Sequence, residues 1–297
     1  MAGVRETMEK ILVIGSSSMD LVVTAAKRPE SGETILGESF KTVPGGKGAN
    51  QAVAAARLGA DVYMVGCVGD DSYGESILSN LQANGVRTDY VKSLPETASG
   101  TAHIILAEGD NSIVVVQGAN KHVSPSLVDE ALPILKEAKM VLIQQEIPEE
   151  TVEHAAELCK THGVPLLLNP APARKVSGAV LENAAYVTPN ETEAKLIFGD
   201  EPLLEKYPNK LLITEGKNGV RYYNGESETV IPSFPVEALD TTGAGDTFNG
   251  AFAVALAEGK SLAEAIRFAN KAASISVTKF GAQGGMPYRE ELEEKLR

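Results

Sequence analysis

Cysteine is scarce: Cys67 and Cys159 are the only two in 297 residues, and they lie far apart. They read as reduced, buried thiols, and the absence of a C-x-x-C pair leaves no zinc or redox motif. Basic residues are also short, 27 Lys and Arg against 40 Asp and Glu, for a formal net charge of −13. The global basic footprint of a nucleic-acid binder is therefore missing, although a local anion site on an acidic protein is not excluded. No apolar run approaches the roughly 18 residues that cross a bilayer. The polar stretch Met1–Lys10 lacks the apolar segment of a secretion leader. The expected compartment is the cytoplasm, with no membrane and no nucleic-acid partner. Repeats and low-complexity tracts are absent. The four histidines, His103, His122, His154 and His162, have no ligand spacing and read as surface or lid residues.

Two nucleotide fingerprints are missing as well. Gly259-Lys260-Ser261 resembles the end of a P-loop, but Val254 stands where its first glycine is required. Gly243-Ala244-Gly245 is followed by Phe248 where G-x-G-x-x-G needs its third glycine. A P-loop NTPase and a nicotinamide dehydrogenase are thus disfavoured.

What is present is ordinary globular composition, 43% hydrophobic and 23% charged, sufficient to bury a large core without staples. Short apolar runs alternate with helical stretches. Strands are predicted over Lys10–Gly15, Val62–Val68, Met140–Gln144, Pro165–Leu168, Tyr186–Thr188 and Leu211–Thr214. Helices are predicted over Ala49–Leu58, Ser72–Asn84, Glu149–His162, Gly245–Glu258 and Ser261–Thr278. This alternation predicts an α/β fold with a mostly parallel central sheet flanked by helices in three layers, as one unit over residues 1–297. Two regions break the rhythm. Strands drawn from about 16–43 and 97–118, including a hairpin over Thr101–Val116, predict a small antiparallel β lid; the alternative is an edge sheet with no moving role.

Leu239 to Gly250 carries the strongest chemical signal. Gly243, Ala244 and Gly245 form a small-residue turn directly before a helix, whose free amides and dipole make an anion site. Asp246 follows on the first helical turn. Beside a phosphate-binding turn, a carboxylate can take a proton from an attacking hydroxyl; equally, it can merely cap the helix. From the turn alone both readings stand. A second turn, Pro44-Gly45-Gly46-Lys47-Gly48-Ala49-Asn50-Gln51, also opens a helix. Asn50 both donates and accepts hydrogen bonds, as sugar hydroxyls require; the plainer alternative is a flexible glycine turn. Asp20, Glu146, Asn190, Glu193 and the loop Thr214–Gly219 fall at strand ends, where open α/β sheets bind ligands.

The segments Gly45–Gln51 and Asp240–Phe248 together resemble the two signatures of the ribokinase-type carbohydrate kinases. Asn169-Pro170-Ala171-Pro172-Ala173-Arg174, Thr188-Pro189-Asn190-Glu191 and Gly281-Ala282-Gln283 resemble that family in order, so the likeness runs from about Lys10 to about Pro287. The resemblance implies ATP-dependent phosphorylation of a small sugar, with D-ribose phosphorylated at O5 as the leading case. Another sugar or a nucleoside, or a non-catalytic sugar-binding protein on the same scaffold, is the alternative. By similarity Asp246 is the general base, and Gly243, Ala244 and Gly245 form the anion hole. Ser18, Met19, Asp20, Gly46, Lys47, Gly48, Ala49, Asn50, Glu146 and Asp246 line the sugar pocket. Asn190, Thr214, Glu215, Gly216, Lys217, Asn218, Gly219, Gly245, Asp246 and Asn270 line the ATP site. Glu193 acts on Mg²⁺ through water. Asp240, Thr242, Ser276, Lys279, Gly281 and Gly285 surround a monovalent cation, normally K⁺. The lid sheets are expected to pair in a homodimer. Ser18 departs from the Asn common in the family, which bears on sugar recognition rather than on the chemistry. Residues before Lys10 lie outside the resemblance.

Overall fold

The computed structural model describes residues 8–199 and 203–294, so the extension expected at residues 1–9 lies mostly outside the described residues. In chain order the strands are β1 (Lys10–Ile14), β2 (Ser18–Thr24), β3 (Ser39–Gly45), β4 (Asp61–Gly69), β5 (Arg87–Leu94), β6 (Gly100–Ala107) and β7 (Asp110–Val116). They continue with β8 (Met140–Ile143), β9 (Leu166–Leu168), β10 (Tyr186–Val187), β11 (Ile213–Thr214), β12 (Val220–Tyr223) and β13 (Glu228–Ile231).

Apolar run KILVI of β1 is the pivot. A strand buried on both faces is apolar at successive positions, and β1 divides its side chains by parity. Ile11 and Val13 join one core with the helices Lys47–Arg57, Ala244–Ala257 and Leu262–Ser276. Leu12 and Ile14 join the opposite core with the helix Glu149–His162. The result is the expected three-layer arrangement, a six-stranded sheet in the order β10-β9-β8-β1-β4-β5 with every pairing parallel. Edge strand β5 was not anticipated, because its sequence RTDYVKSL is polar at most positions and half exposed.

The small sheet expected as a lid has four strands in the order β3-β2-β6-β7. The pairs β2–β3 and β6–β7 are antiparallel, as expected, and the seam between them, β2 with β6, is parallel. Glu108 and Gly109 both take positive φ, 57° and 76°, in the two-residue link between β6 and β7, the backbone that matches strand twist in a hairpin. A third small sheet, β11-β12-β13, is antiparallel. The expected strand Leu211–Thr214 feeds it: Leu211 bridges to Val187 of β10 in parallel fashion, and β11 then turns to pair with β12.

Several helices begin where polar side chains can satisfy free amides. Asp71 caps Ser72–Ala83, and a Ser261–Glu264 capping box opens Leu262–Ser276. Cys67 and Cys159 are buried, and burial pushes their thiols up to about 11 and about 12, so they stay protonated and inert. Among the described residues no helix is long and apolar enough to cross a membrane.

Candidate active site

The two sequence signatures meet because their helices pack against each other. Lys47–Arg57 contributes an alanine-rich face, and Gly250 of Ala244–Ala257 sits so close that a Cβ there would fall 2.7 Å from Ala54 Cβ. That close approach brings Asn50 and Gln51 to Asp246. Asn50 Nδ2 donates to Asp246 Oδ2 at 3.0 Å, and Gln51 Nε2 donates to Oδ1 at 3.1 Å. Gln51 is oriented in turn by Gln144 Nε2, which donates to its Oε1 at 2.7 Å, and it also donates to Asn169 Oδ1 at 3.1 Å. Asn169 is anchored through its own Nδ2 to the Thr188 carbonyl.

Asp246 is only 7% exposed. Burial pushes its pKa above the ordinary carboxylate value, opposed by the Lys47 ammonium and by the Asn50 and Gln51 donors, while Glu146 adds to the rise. The Asp246 oxygens accept from the side-chain amides of Asn50 and Gln51 across the helix interface, not from the backbone amides of its own helix start.

Around it lies a charged cluster. Burial first, then Glu146 and Asp246, push Asp20 up to about 7, with Ser18 and Lys47 opposing. Burial works against the Lys47 ammonium, yet Asp246, Glu146, Glu193 and Asp20 together hold its pKa above the usual lysine value. Glu146 accepts a hydrogen bond from Ser16 Oγ and, at 3.1 Å, from the Lys47 amide, so it is fixed at the start of the Lys47 helix. Ser18, Asp20, Gly46, Lys47, Asn50 and Glu146 therefore gather where the first residues of β2 and the last of β3 meet the head of the Lys47 helix. Met19 and Ala49, expected to line the same pocket, are core residues at 3% and 1% exposure. Asn120, which the sequence reading missed, clamps the β1–β2 turn: its Oδ1 accepts from the Ser17 amide and its Nδ2 donates to the Ser17 carbonyl.

The second turn faces open space. Gly243 adopts φ 75°, a left-handed conformation suited to glycine, and the amides of Gly245 and Asp246 have no backbone acceptor among the described residues. A Cβ on Gly245 would meet nothing within 4 Å. Beside it opens a cavity of about 750 Å³ lined by Asn190, Thr214, Gly216, Lys217, Asn218, Gly219, Gly245 and Asn270, eight of the residues expected at a nucleotide. The Asp246 side chain points away from this cavity toward Asn50, and the Glu215 carboxylate turns to Arg221. The loop Ser233–Val236 forms an unforeseen wall of the cavity. It is held by Asn270 Nδ2, which donates to the Ile231 and Pro232 carbonyls, and by Lys271 Nζ, 4.5 Å from the Phe234 ring centroid. Nothing in that loop's composition marks it, because its role comes from where β13 delivers it.

Asn190 and Glu193 form a capping box for the helix Glu191–Phe198: Asn190 Oδ1 accepts from the Glu193 amide at 2.8 Å, and Glu193 Oε2 accepts from the Asn190 amide at 2.9 Å. Glu193 Oε1 has no hydrogen-bond partner among the described residues. Burial raises the Glu193 pKa, with the Asn190 amide and Lys47 opposing and Asp246 adding. The six residues expected around a monovalent cation also converge. Asp240 Oδ1 accepts from the Thr242 amide at 2.9 Å and Oδ2 from the Gly281 amide at 2.8 Å. Partial burial disfavours the Asp240 charge, but these donors hold its pKa below the usual range. Gly285 packs against the Ser276 carbonyl, while the Lys279 ammonium leaves the segment to pair with Glu291.

The family model for pfkB carbohydrate kinases matches residues 8–289. The chain is 64% identical over 292 residues to the ribokinase of Bacillus subtilis, covering 97% of this chain and 100% of that protein. It is 47% identical to the ribokinase of Lactococcus lactis, covering 98% of each chain. The solved structure of Arabidopsis thaliana ribokinase complexed with ribose and ATP superposes with a TM-score of 0.90 at 35% identity, covering 98% of this chain and 99% of that one.

Proposed function

The chain belongs to the pfkB family of carbohydrate kinases, and on that premise we propose that it transfers the γ-phosphoryl group of ATP to O5 of D-ribose, giving ribose 5-phosphate and ADP. One observation carries the reading. A buried carboxylate, Asp246, is held by two amide donors on the first turn of the same helix whose open Gly245 amide faces the 750 Å³ cavity. The relatives named ribokinase and the solved complex with ribose and ATP support ribose and ATP as the substrates.

Asp20, Asn50, Lys47 and Glu146 bind and orient the sugar from the lid side of the cleft. Asp246 removes the proton from the attacking hydroxyl. Its raised pKa makes it a better proton acceptor, and the Asn50 and Gln51 donors with Lys47 keep the ionised form within reach. The Gly243–Gly245 turn offers its amides to the charge on the transferred group. The cavity walls hold ATP. Mg²⁺, when bound, neutralises phosphate charge, and the free Glu193 oxygen suits a water-mediated contact to it. The carbonyl and carboxylate oxygens of the Asp240, Thr242, Ser276, Gly281 and Gly285 region suit a hard monovalent cation such as K⁺, which would fix the anion turn. Edge strand β7 is exposed along its whole length, with Ile113 and Val115 exposed on one face and Val114 and Val116 on the other. An uncovered apolar edge of this kind supports lid-to-lid homodimerisation. The reading includes work in the cytoplasm, as one α/β unit with its lid, in keeping with the acidic composition.

The test is ADP release from Mg-ATP in K⁺ buffer, with D-ribose compared against fructose, adenosine and no sugar. Strong ribose-dependent release is expected. Release with adenosine or fructose alone would replace the substrate, and none with any sugar would favour a binding protein. Asp246→Asn should keep sugar binding and lose roughly 10²–10⁴-fold in kcat; parental turnover would remove Asp246 from the role of base.

A further inference from the structure

The side chain of Gln283 is 5% exposed on the short helix Ala282–Gly285, and both ends of its amide are engaged. Its Oε1 accepts from Asn80 Nδ2 at 2.7 Å, and its Nε2 donates to Asn50 Oδ1 at 2.9 Å. The Gln283 carbonyl accepts from Arg57 Nη1 at 2.5 Å, which fixes the backbone from which the side chain projects. An amide has one donor end and one acceptor end. The Asn80 contact therefore decides which end of Gln283 meets Asn50, and the Gln283 contact decides which end of Asn50 meets Asp246. The chain of donors runs one way, from Asn80 through Gln283 and Asn50 to Asp246 Oδ2. A flipped Asn50 amide would set Oδ1 against the carboxylate, two acceptors with no proton between them.

We infer that Gln283 is a positioning residue of the phosphoryl transfer, holding the Asn50 amide in the orientation that keeps a donor on the base. The inference rests on the reading of Asp246 as that base. The other carboxylate oxygen is held independently by Gln51, backed by Gln144, so losing Gln283 changes the reactivity of Asp246 without releasing it. The same short turn is tied to the phosphate side: the Gly281 amide donates to Asp240, which also accepts from Thr242 at the head of the Gly243–Gly245 turn. Base and phosphate-binding amides thus share one frame.

Four other charged groups act on Asp246 or on the cluster around it: Lys47 at the start of its helix, Glu146 after β8, Asp20 on β2 and Glu193 on Glu191–Phe198. The acid limb of the rate profile belongs to this whole cluster, so the informative quantity is its displacement on changing one neutral contact. Steady-state kinetics of the full chain with ribose and Mg-ATP are compared for the parent, Gln283→Met and Gln283→Glu. Gln283→Met keeps the length and removes the amide; Gln283→Glu keeps the shape and the Asn80 contact but has no donor for Asn50 when ionised.

For Gln283→Met, a roughly tenfold fall in kcat is expected as the Asn50 amide, no longer oriented, gives up its hydrogen bond to the Asp246 carboxylate, with the KM for ATP unchanged. The acid limb should move to higher pH, since a carboxylate deprived of a donor holds its proton longer. In an Asn50→Ala background the same change should have almost no further effect, because the two residues act through one contact. Equal effects in both backgrounds, or a lowered melting temperature with an unmoved acid limb, would reduce Gln283 to a packing residue and overturn the inference. If Gln283→Met does not fold, Gln283→Glu carries both readouts. Parental activity in Asp246→Asn would instead sink the reading of the base itself, so the two failures are separable.

Discussion

At Gly48 a Cβ would lie 2.6 Å from the Ser16 amide nitrogen and 2.7 Å from the Gly15 carbonyl carbon, whereas at Gly245 it would meet no atom within 4 Å. Both glycines stand in small-residue turns at helix starts, and both turns read in the sequence as places where a ligand approaches the backbone. In the first turn the approaching backbone is the protein's own. Gly46, at φ 92°, and Gly48 let the β1–β2 turn pass close to the head of the Lys47 helix, and a Cβ on Gly45 would strike the Asp20 carboxylate at 2.5 Å. Crowding of chain and of charge there holds Asp20, Glu146 and Asn50 close together as a polar group, the floor proposed for a sugar. In the second turn the space is left open, and Gly245, whose amide has no backbone acceptor among the described residues, lines the cavity. One kind of sequence signal therefore has two physical causes, packing at one turn and access at the other.

The largest effect expected from breaking this contrast is on charge. The folded-state pKa of Asp20, about 7, lies above its ordinary value of 3.8. Between those values the folded protein holds a proton that the unfolded chain has released. Stability is then full below about pH 4 and falls as pH rises through about 7. Asp20→Asn cannot ionise, so it should match the parent near pH 4 and exceed it at pH 8 by up to about 4 kcal/mol, while sugar affinity falls. Urea melts at the two pH values check this; an identical pH dependence in both proteins would remove Asp20 from the strained cluster.

Next comes Gly48→Ala, in which backbone meets a methyl group with no flexible neighbour to yield. A loss of about 3 kcal/mol is expected, read as a lower urea midpoint, with activity falling only in step with the folded fraction. A variant of parental stability would show that the first turn is not packed as described. The smaller counterpart is Gly245→Ala. With open space around the new methyl, stability should hold or rise by up to about 1 kcal/mol, as glycine is replaced inside a helix. The rate should fall about tenfold as the methyl obstructs the amides that meet the phosphoryl group. Loss of stability with unchanged kcat would invert the contrast between the two turns.

The smallest effect concerns Ser18, on β2 at the sugar side. Ser18→Asn should change the KM for ribose by a few fold and leave the KM for ATP alone, because Ser18 stands beside Asp20 and is not among the residues lining the cavity. A kcat collapse would instead place position 18 in the chemistry.

Local sequence determined much of this protein. The apolar run of β1, the Asp71 cap and the Ser261–Glu264 box specify strands and helices through contacts within a few residues. The turn Gly243–Gly245 with Asp246 after it specifies a helix start with free amides and a carboxylate on the first turn, since both are fixed by neighbouring backbone. Tertiary structure decided what could not be local. The chain separates Asn50 from Asp246 by 196 positions and Gln283 from Asn50 by 233, so the partners of Asp246 depend on Gly250 letting two helices touch. Strand β5, the loop Ser233–Val236 and the parallel seam of the lid carry no periodicity of their own, because neighbouring elements supply their partners. Whether a glycine makes room for ligand or for chain depends on what the fold brings opposite it, and that atom belongs to a distant part of the sequence.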